Sequence, residues 1–203
     1  VAPLCLAVVL LAVFAAGDTA ALWLRYDRAG LESGQWWRLL TAHLVHYDGA
    51  HLVLNLGGML LTWELWRRWY TPLSWCAGTF VCALTTGAGL LLFSPTVSGY
   101  MGFSGILFGL FTLGLLGAMA DGDRLSRVFI VLLLAKLLTE QRYPDGTAPS
   151  VLGNFTLVAD AHLWGALGGL GLHVLQQTWR CYRLTRPVQG RRASVNSMSS
   201  QLP

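Results

Sequence analysis

The sequence predicts an all-α membrane protein, a bundle of six transmembrane helices with both termini in the cytoplasm. Three observations carry that prediction. Of 203 residues, 54% are hydrophobic and 12% charged, the balance of a chain whose main solvent is lipid. Apolar runs of helix length recur six times between short polar or aromatic connections. Arginines gather in alternate connections and in the tail, as expected when those parts stay on the inner side of a membrane. The length fits one domain, residues 1–179, followed by a basic, serine-rich tail over 180–203 that reads as solvated and disordered.

The first apolar run, residues 3–24, is interrupted by Gly17 and Asp18. It lacks the basic start of a signal peptide and is long for one, so it predicts a first transmembrane helix. Residues 25–50 form a polar and aromatic connection holding Trp36, Trp37 and Arg38 and two histidines, His43 and His46, with His51 directly after it. Aromatics of this kind favour the membrane interface. The second helix, 51–66, ends at Arg67 and Arg68, and the third is 72–93. The fourth follows Ser104 and runs over 106–120. The fifth, 127–138, is short; Lys136 and Glu140 extend it, four apart on one face, where they can pair or snorkel. After a loop over 141–154, the sixth helix covers 155–177.

With the N-terminus inside, the inner segments hold Arg67, Arg68, Arg124, Arg127 and the five arginines from Arg180 onward. The outer ones hold Arg25, Arg28, Arg38 and Arg142. This bias places Ser104, His51 and His162 toward the outer face. The net charge of +4 does not point to nucleic acid, because the arginines form no stripe interleaved with aromatics. Cys5, Cys76, Cys82 and Cys181 are far apart and read as packing residues, without a disulfide framework.

Chemistry centres on Gly102-Phe103-Ser104-Gly105, where a loop over 93–101 meets an apolar helix. A serine there can cap the helix with its hydroxyl at the helix mouth, and Gly102 can take a backbone conformation other residues avoid. A lone membrane serine is more often a cap or an interhelical contact. As a nucleophile it needs a base, and His162 on the sixth helix supplies a candidate. Gly105 and Gly109 make a small-residue face on the fourth helix, and Gly165 and Gly169, extended by Ala161, make another on the sixth. Such faces let helices approach closely, which would bring Ser104 and His162 together. His51 and Asn55 share a face of the second helix. With the Ser104 N–H they can stabilise an oxyanion, although an asparagine can also serve as interhelical glue. Asp160, two residues before His162, points to a different face, so a serine–histidine dyad is expected. No H-E-x-x-H is present, no metal or other cofactor is expected, and haem ligation by His51, His162 or His173 is left open by spacing alone.

These pieces in this order resemble the rhomboid family of intramembrane serine proteases: Trp37-Arg38, His51-x-x-x-Asn55, Gly102-Phe103-Ser104-Gly105 and Ala161-His162-x-x-Gly165-x-x-x-Gly169. The resemblance implies Ser104 as nucleophile, His162 as base, and His51, Asn55 and the Ser104 N–H as the oxyanion hole. It gives Trp37 and Arg38 a structural role in the first loop. The stretches 41–46, 51–58, 136–141 and 160–162 are most similar to rhombosortases. That subfamily implies substrates anchored by a C-terminal Gly-Gly element, a helix and a basic tail; with the arginine bias, the expected place is a bacterial inner membrane, with the cut on the periplasmic side. The alternatives are a general rhomboid protease without Gly-Gly preference, an inactive relative that binds membrane clients, and a small haem-binding or transport protein.

Overall fold

The computed structural model describes residues 2–143, 147–149 and 156–185. One compact unit, Val1–His173, holds the elements that follow up to most of the last helix; a second, Val174–Pro203, carries that helix's C-terminal part. The chain is mostly helical.

The first apolar run is not one helix. It forms α1 (Ala2–Ala15) and α2 (Gly17–Leu24), bent by 111° at the break. The cause is Gly17, whose φ of 75° lies in the left-handed region and ends α1 there. Next come β1 (Tyr26–Asp27), α3 (Arg28–Glu32), α4 (Arg38–Thr41) and a 3-10 turn, Ala42–Leu44. The long connection is therefore a folded segment.

α5 (Gly49–Trp66) begins two residues earlier than the sequence suggests, because Asp48 caps it and accepts the His51 N–H at 2.7 Å. α6 (Pro72–Phe93) has the bounds expected of the third helix. Thr71 and Ser74 form a capping box, and Pro72 occupies the first turn. β2 (Gly99–Tyr100) precedes α7 (Ser104–Ala120), and Asp123 caps α8 (Arg124–Glu140) by accepting the Ser126 N–H at 2.8 Å. β3 (Thr147–Pro149), β4 (Thr156–Val158) and α9 (Ala159–Thr185) complete the order.

α9 differs from expectation at both ends. Residues 156–158 are strand, and the helix continues through Arg180 to Thr185, so the first part of the predicted tail is ordered. Trp179 stacks on Tyr182 and lies under the Arg183 guanidinium, contacts at helical spacing that favour continuation. The rest of the predicted tail, 186–203, lies outside the described residues.

α7 is the central helix, packed against α5, α6 and α8. Met59, Trp66, Trp75, Phe103, Leu110 and Leu115 are fully or almost fully buried around it. Large apolar side chains such as Leu73, Phe80, Leu92, Val131 and Leu138 face outward, as a lipid-facing surface requires. Among the described residues α6 alone is long and apolar enough to cross a membrane unaided, with mean hydropathy 1.8; α1 and α2 pass only as a bent pair. α7 and α8 have 17 residues each, about 26 Å at 1.5 Å per residue. That falls a little short of a hydrocarbon core of about 30 Å.

Two small sheets position the site. β1 pairs antiparallel with β2, Tyr26 opposite Tyr100, which ties the first connection to the loop before Ser104. Arg28 reinforces the tie. Its guanidinium donates to the carbonyls of Leu90, Leu91, Ser94 and Val97 at 2.7–3.1 Å, satisfying carbonyls left over at the end of α6. β3 pairs antiparallel with β4, Ala148 opposite Leu157. That hairpin turns the chain back after α8, so the end of α8 meets the start of α9.

Candidate active site

Ser104 is the first residue of α7. Phe103 takes the cap position with helical angles and no side-chain cap, so the helix starts at the serine that was expected to cap it, one residue earlier than the sequence suggests. The N–H groups of a first helical turn have no intrahelical acceptors, and Ser104 is half-buried among them. Gly102 has φ 137°, which L side chains rarely adopt. A Cβ there would also lie 2.6 Å from His51 Cε1 and 2.9 Å from its Nε2. The His51 ring therefore rests directly on the backbone two residues before Ser104.

Tyr100 holds this loop from below. Its buried hydroxyl donates to the Gly102 carbonyl, meets the Ser104 hydroxyl and receives the Gly105 N–H at 3.4 Å. Burial raises its pKa, so it stays a neutral donor. His43 lies edge-on to Tyr100, ring centroids 5.5 Å apart. Its Nε2 is 3.0 Å from the Ala83 carbonyl; a carbonyl only accepts, so that nitrogen carries the proton. Burial lowers the His43 pKa to about 4, and the ring is neutral at ordinary pH.

The Ser104 end of α7 is packed against α9 through backbone. A Cβ on Gly105 would lie 2.9 Å from the Ala161 carbonyl oxygen, and one on Gly109 2.6 Å from that of Gly165. Methyl groups on Gly165 and Gly169 would collide with the carbonyl oxygens of Gly105 and Gly109. The two glycine faces thus interlock one turn apart, and the neighbours of Ser104 and His162 in sequence touch.

His162 is 3% exposed. Phe108 stacks on its ring, centroids 4.1 Å apart and planes 7° from parallel. Its Nδ1 is 2.8 Å from Glu140 Oε2, across from the end of α8. Glu140 Oε1 is 2.7 Å from Lys136 Nζ, an ion pair one turn apart. The sequence left Lys136 and Glu140 free to pair or snorkel and did not bring a carboxylate to His162. The contact joins residues 22 apart through the β3–β4 hairpin, and no spacing rule reports it.

His51 lies within electrostatic reach of His162. It also packs against His46, edge to face at 5.1 Å, and under Tyr47 at 5.7 Å. Burial and the neighbouring His51 lower the His46 pKa to about 4. Asn55 is 3% exposed, and its Nδ2 has no hydrogen-bond partner among the described residues. A buried amide donor without a partner is costly and suits a group that binds transient charge.

Arg38 and Trp37 lie in the first connection and bond it to the end of α2. Arg38 is buried, donating to the Leu22 and Arg25 carbonyls at 2.9 and 2.8 Å and to Gln35 at 2.6 Å. Trp37 stacks on Trp23 and donates to its carbonyl at 3.2 Å. Besides Glu140, the sequence reading missed Tyr100, Phe108 and Arg28. Phe108 follows Ser104 by four residues and so shares its helix face, the one signal that would have found it. Among the described residues no group of three His, Cys, Asp or Glu side chains is arranged to hold a metal.

The Rhomboid domain family profile matches residues 33–177, well over half of the chain and a span that includes His51, Asn55, Ser104, Glu140 and His162. No curated protein matches the sequence.

Proposed function

The chain belongs to the rhomboid family, and we propose that it is an active intramembrane serine endopeptidase with Ser104 as nucleophile and His162 as base. Membership makes it an integral membrane protein of a serine protease family. The observation that carries the finer reading is the interlocked glycine contact, which holds the mouth of α7 against the first turn of α9. In the proposed reaction the Ser104 Oγ–H proton passes to His162 Nε2 as Oγ bonds to the substrate carbonyl carbon. The carbonyl π pair moves to oxygen, where the Ser104 N–H, Asn55 Nδ2 and His51 stabilise it. As the C–N bond breaks, the leaving amine takes the proton from His162. Water, deprotonated by His162, then cleaves the acyl ester and restores Ser104.

Six crossings with cytoplasmic termini would set this site toward the periplasmic face of a bacterial inner membrane. Substrates are single-pass anchored proteins cut just above their anchor helix. The resemblance to rhombosortases favours anchors with a C-terminal Gly-Gly, a helix and a basic tail. Physics favours them too: a helical peptide bond must unwind to be attacked, and each glycine weakens a helix by about 1 kcal/mol relative to alanine.

Co-expression of a reporter bearing such an anchor tests this, with a matched reporter in which leucines replace the glycines. Release of the first reporter, mapped by mass spectrometry to a cut beside glycine on the periplasmic side, is expected. Equal release of both reporters rejects the Gly-Gly preference, and a cytoplasmic cut rejects the orientation. Ser104→Ala and His162→Ala should each abolish release from a folded protein; substantial cleavage by either variant would remove the assignment of both residues.

A further inference from the structure

Glu140 stands where local helix energetics disfavour it. It is the last residue of α8, and a carboxylate opposes the negative end of a helix dipole. Lys136 precedes it by four residues, the less favourable order for such a pair. Its side chain is 5% exposed, and a buried charge is costly unless paired. What offsets these costs is held at the two carboxylate oxygens: His162 Nδ1 at 2.8 Å on one and the Lys136 ammonium at 2.7 Å on the other.

We propose that Glu140 is a positioning residue for His162, so that the site works as Ser104, His162 and Glu140 rather than as a serine–histidine dyad. The proposal rests on the assignment of Ser104 and His162 made above. An ionised carboxylate only accepts hydrogen bonds. Nδ1 of His162 therefore carries the proton, and Nε2 keeps its lone pair for the Ser104 proton. When Nε2 takes that proton the ring becomes a cation in a buried place, and Glu140 is the charge that stabilises it. Phe108 fixes the ring plane from one face, leaving rotation about Cβ–Cγ as the freedom that Glu140 removes. Lys136, half-exposed, sits on the other carboxylate oxygen and offsets part of the Glu140 charge.

A merely structural bond between α8 and α9 makes a different prediction. The Glu140→Gln amide can still accept from Nδ1–H through its oxygen, so packing survives while the charge is lost. The experiment compares wild type, Glu140→Gln, Glu140→Asp and Lys136→Met, purified in detergent, on a membrane-anchored fluorogenic reporter, with Ser104→Ala as the blank. Melting temperature is measured in parallel, and the proton spectrum of wild type and Glu140→Gln is recorded with 15N-labelled histidine. Expected for Glu140→Gln is a kcat about 10²- to 10⁴-fold lower with KM unchanged, the scale seen when the orienting carboxylate of a serine protease triad is neutralised. Glu140→Asp recovers part of the rate, and Lys136→Met loses less than Glu140→Gln. Wild type shows a far-downfield Nδ1-bound proton that is absent from Glu140→Gln.

Wild-type kcat in Glu140→Gln, with cleavage still dependent on Ser104, overturns the proposal and leaves the protease reading intact. A rate loss that follows melting temperature alone, with the downfield proton unchanged, also overturns it. Should Glu140→Gln not fold, absence of that proton from wild type has the same force. A wild type with no Ser104-dependent cleavage overturns both readings.

Discussion

Asn55 shows what a single residue contributes here. Its amide is buried with no partner for Nδ2 among the described residues, a state tolerated only if something returns the cost. Asn55→Ala should lower kcat by about 10²- to 10³-fold, as loss of one oxyanion donor does elsewhere, with little change in melting temperature. Unchanged turnover would assign Asn55 to helix packing. His43 and His46 carry a stability prediction. Both are held near pKa 4 by burial, below the usual 6.5. Between those values the unfolded chain binds protons that the native state refuses, so stability falls as pH drops from 6.5 toward 4. Thermal melts across that range, run on wild type and His43→Gln, should show the steeper loss in wild type. Equal slopes would mean that His43 does not stay neutral. Ser104, His162, His51 and Asn55 could be named as candidates because each stands in a short local pattern. Glu140, Tyr100 and Arg28 were not, because their roles come from contacts made across the fold.

At the scale of elements, helix limits were legible where caps are written locally. Thr71-Pro72 opens α6, and its bounds follow. Gly17 was visible as an interruption, but a 111° bend depends on how α1 and α2 find their separate neighbours. The continuation of α9 to Thr185 was hidden by a composition that reads as tail. The contact of α7 with α9 is the element-level feature on which the site depends. Gly165→Val places a branched side chain against the Gly105 carbonyl, and nothing flexible there can yield. Melting temperature and activity should both fall. A variant that melts like wild type would show that this contact is not tight in the membrane.

For the whole molecule, the arginine bias and the packing of α5 to α9 serve one arrangement: a polar site at one end of an apolar bundle. Its orientation can be read from a cysteine. Cys181 is exposed on α9, and cytoplasmic termini would put it inside. In a variant with Cys5, Cys76 and Cys82 replaced by alanine, an impermeant maleimide should label Cys181 only after cells are opened. Labelling of intact cells would reverse the topology. The whole arrangement, however, turns on Ser104 as an activated nucleophile with His162 as the group that activates it. A fluorophosphonate reports this without a substrate, because it bonds only to a serine whose proton is being taken. Peptide mass spectrometry of the labelled protein in detergent should find the adduct on Ser104 in wild type and none in His162→Ala. An unlabelled Ser104 in wild type, or equal labelling without His162, would contradict it.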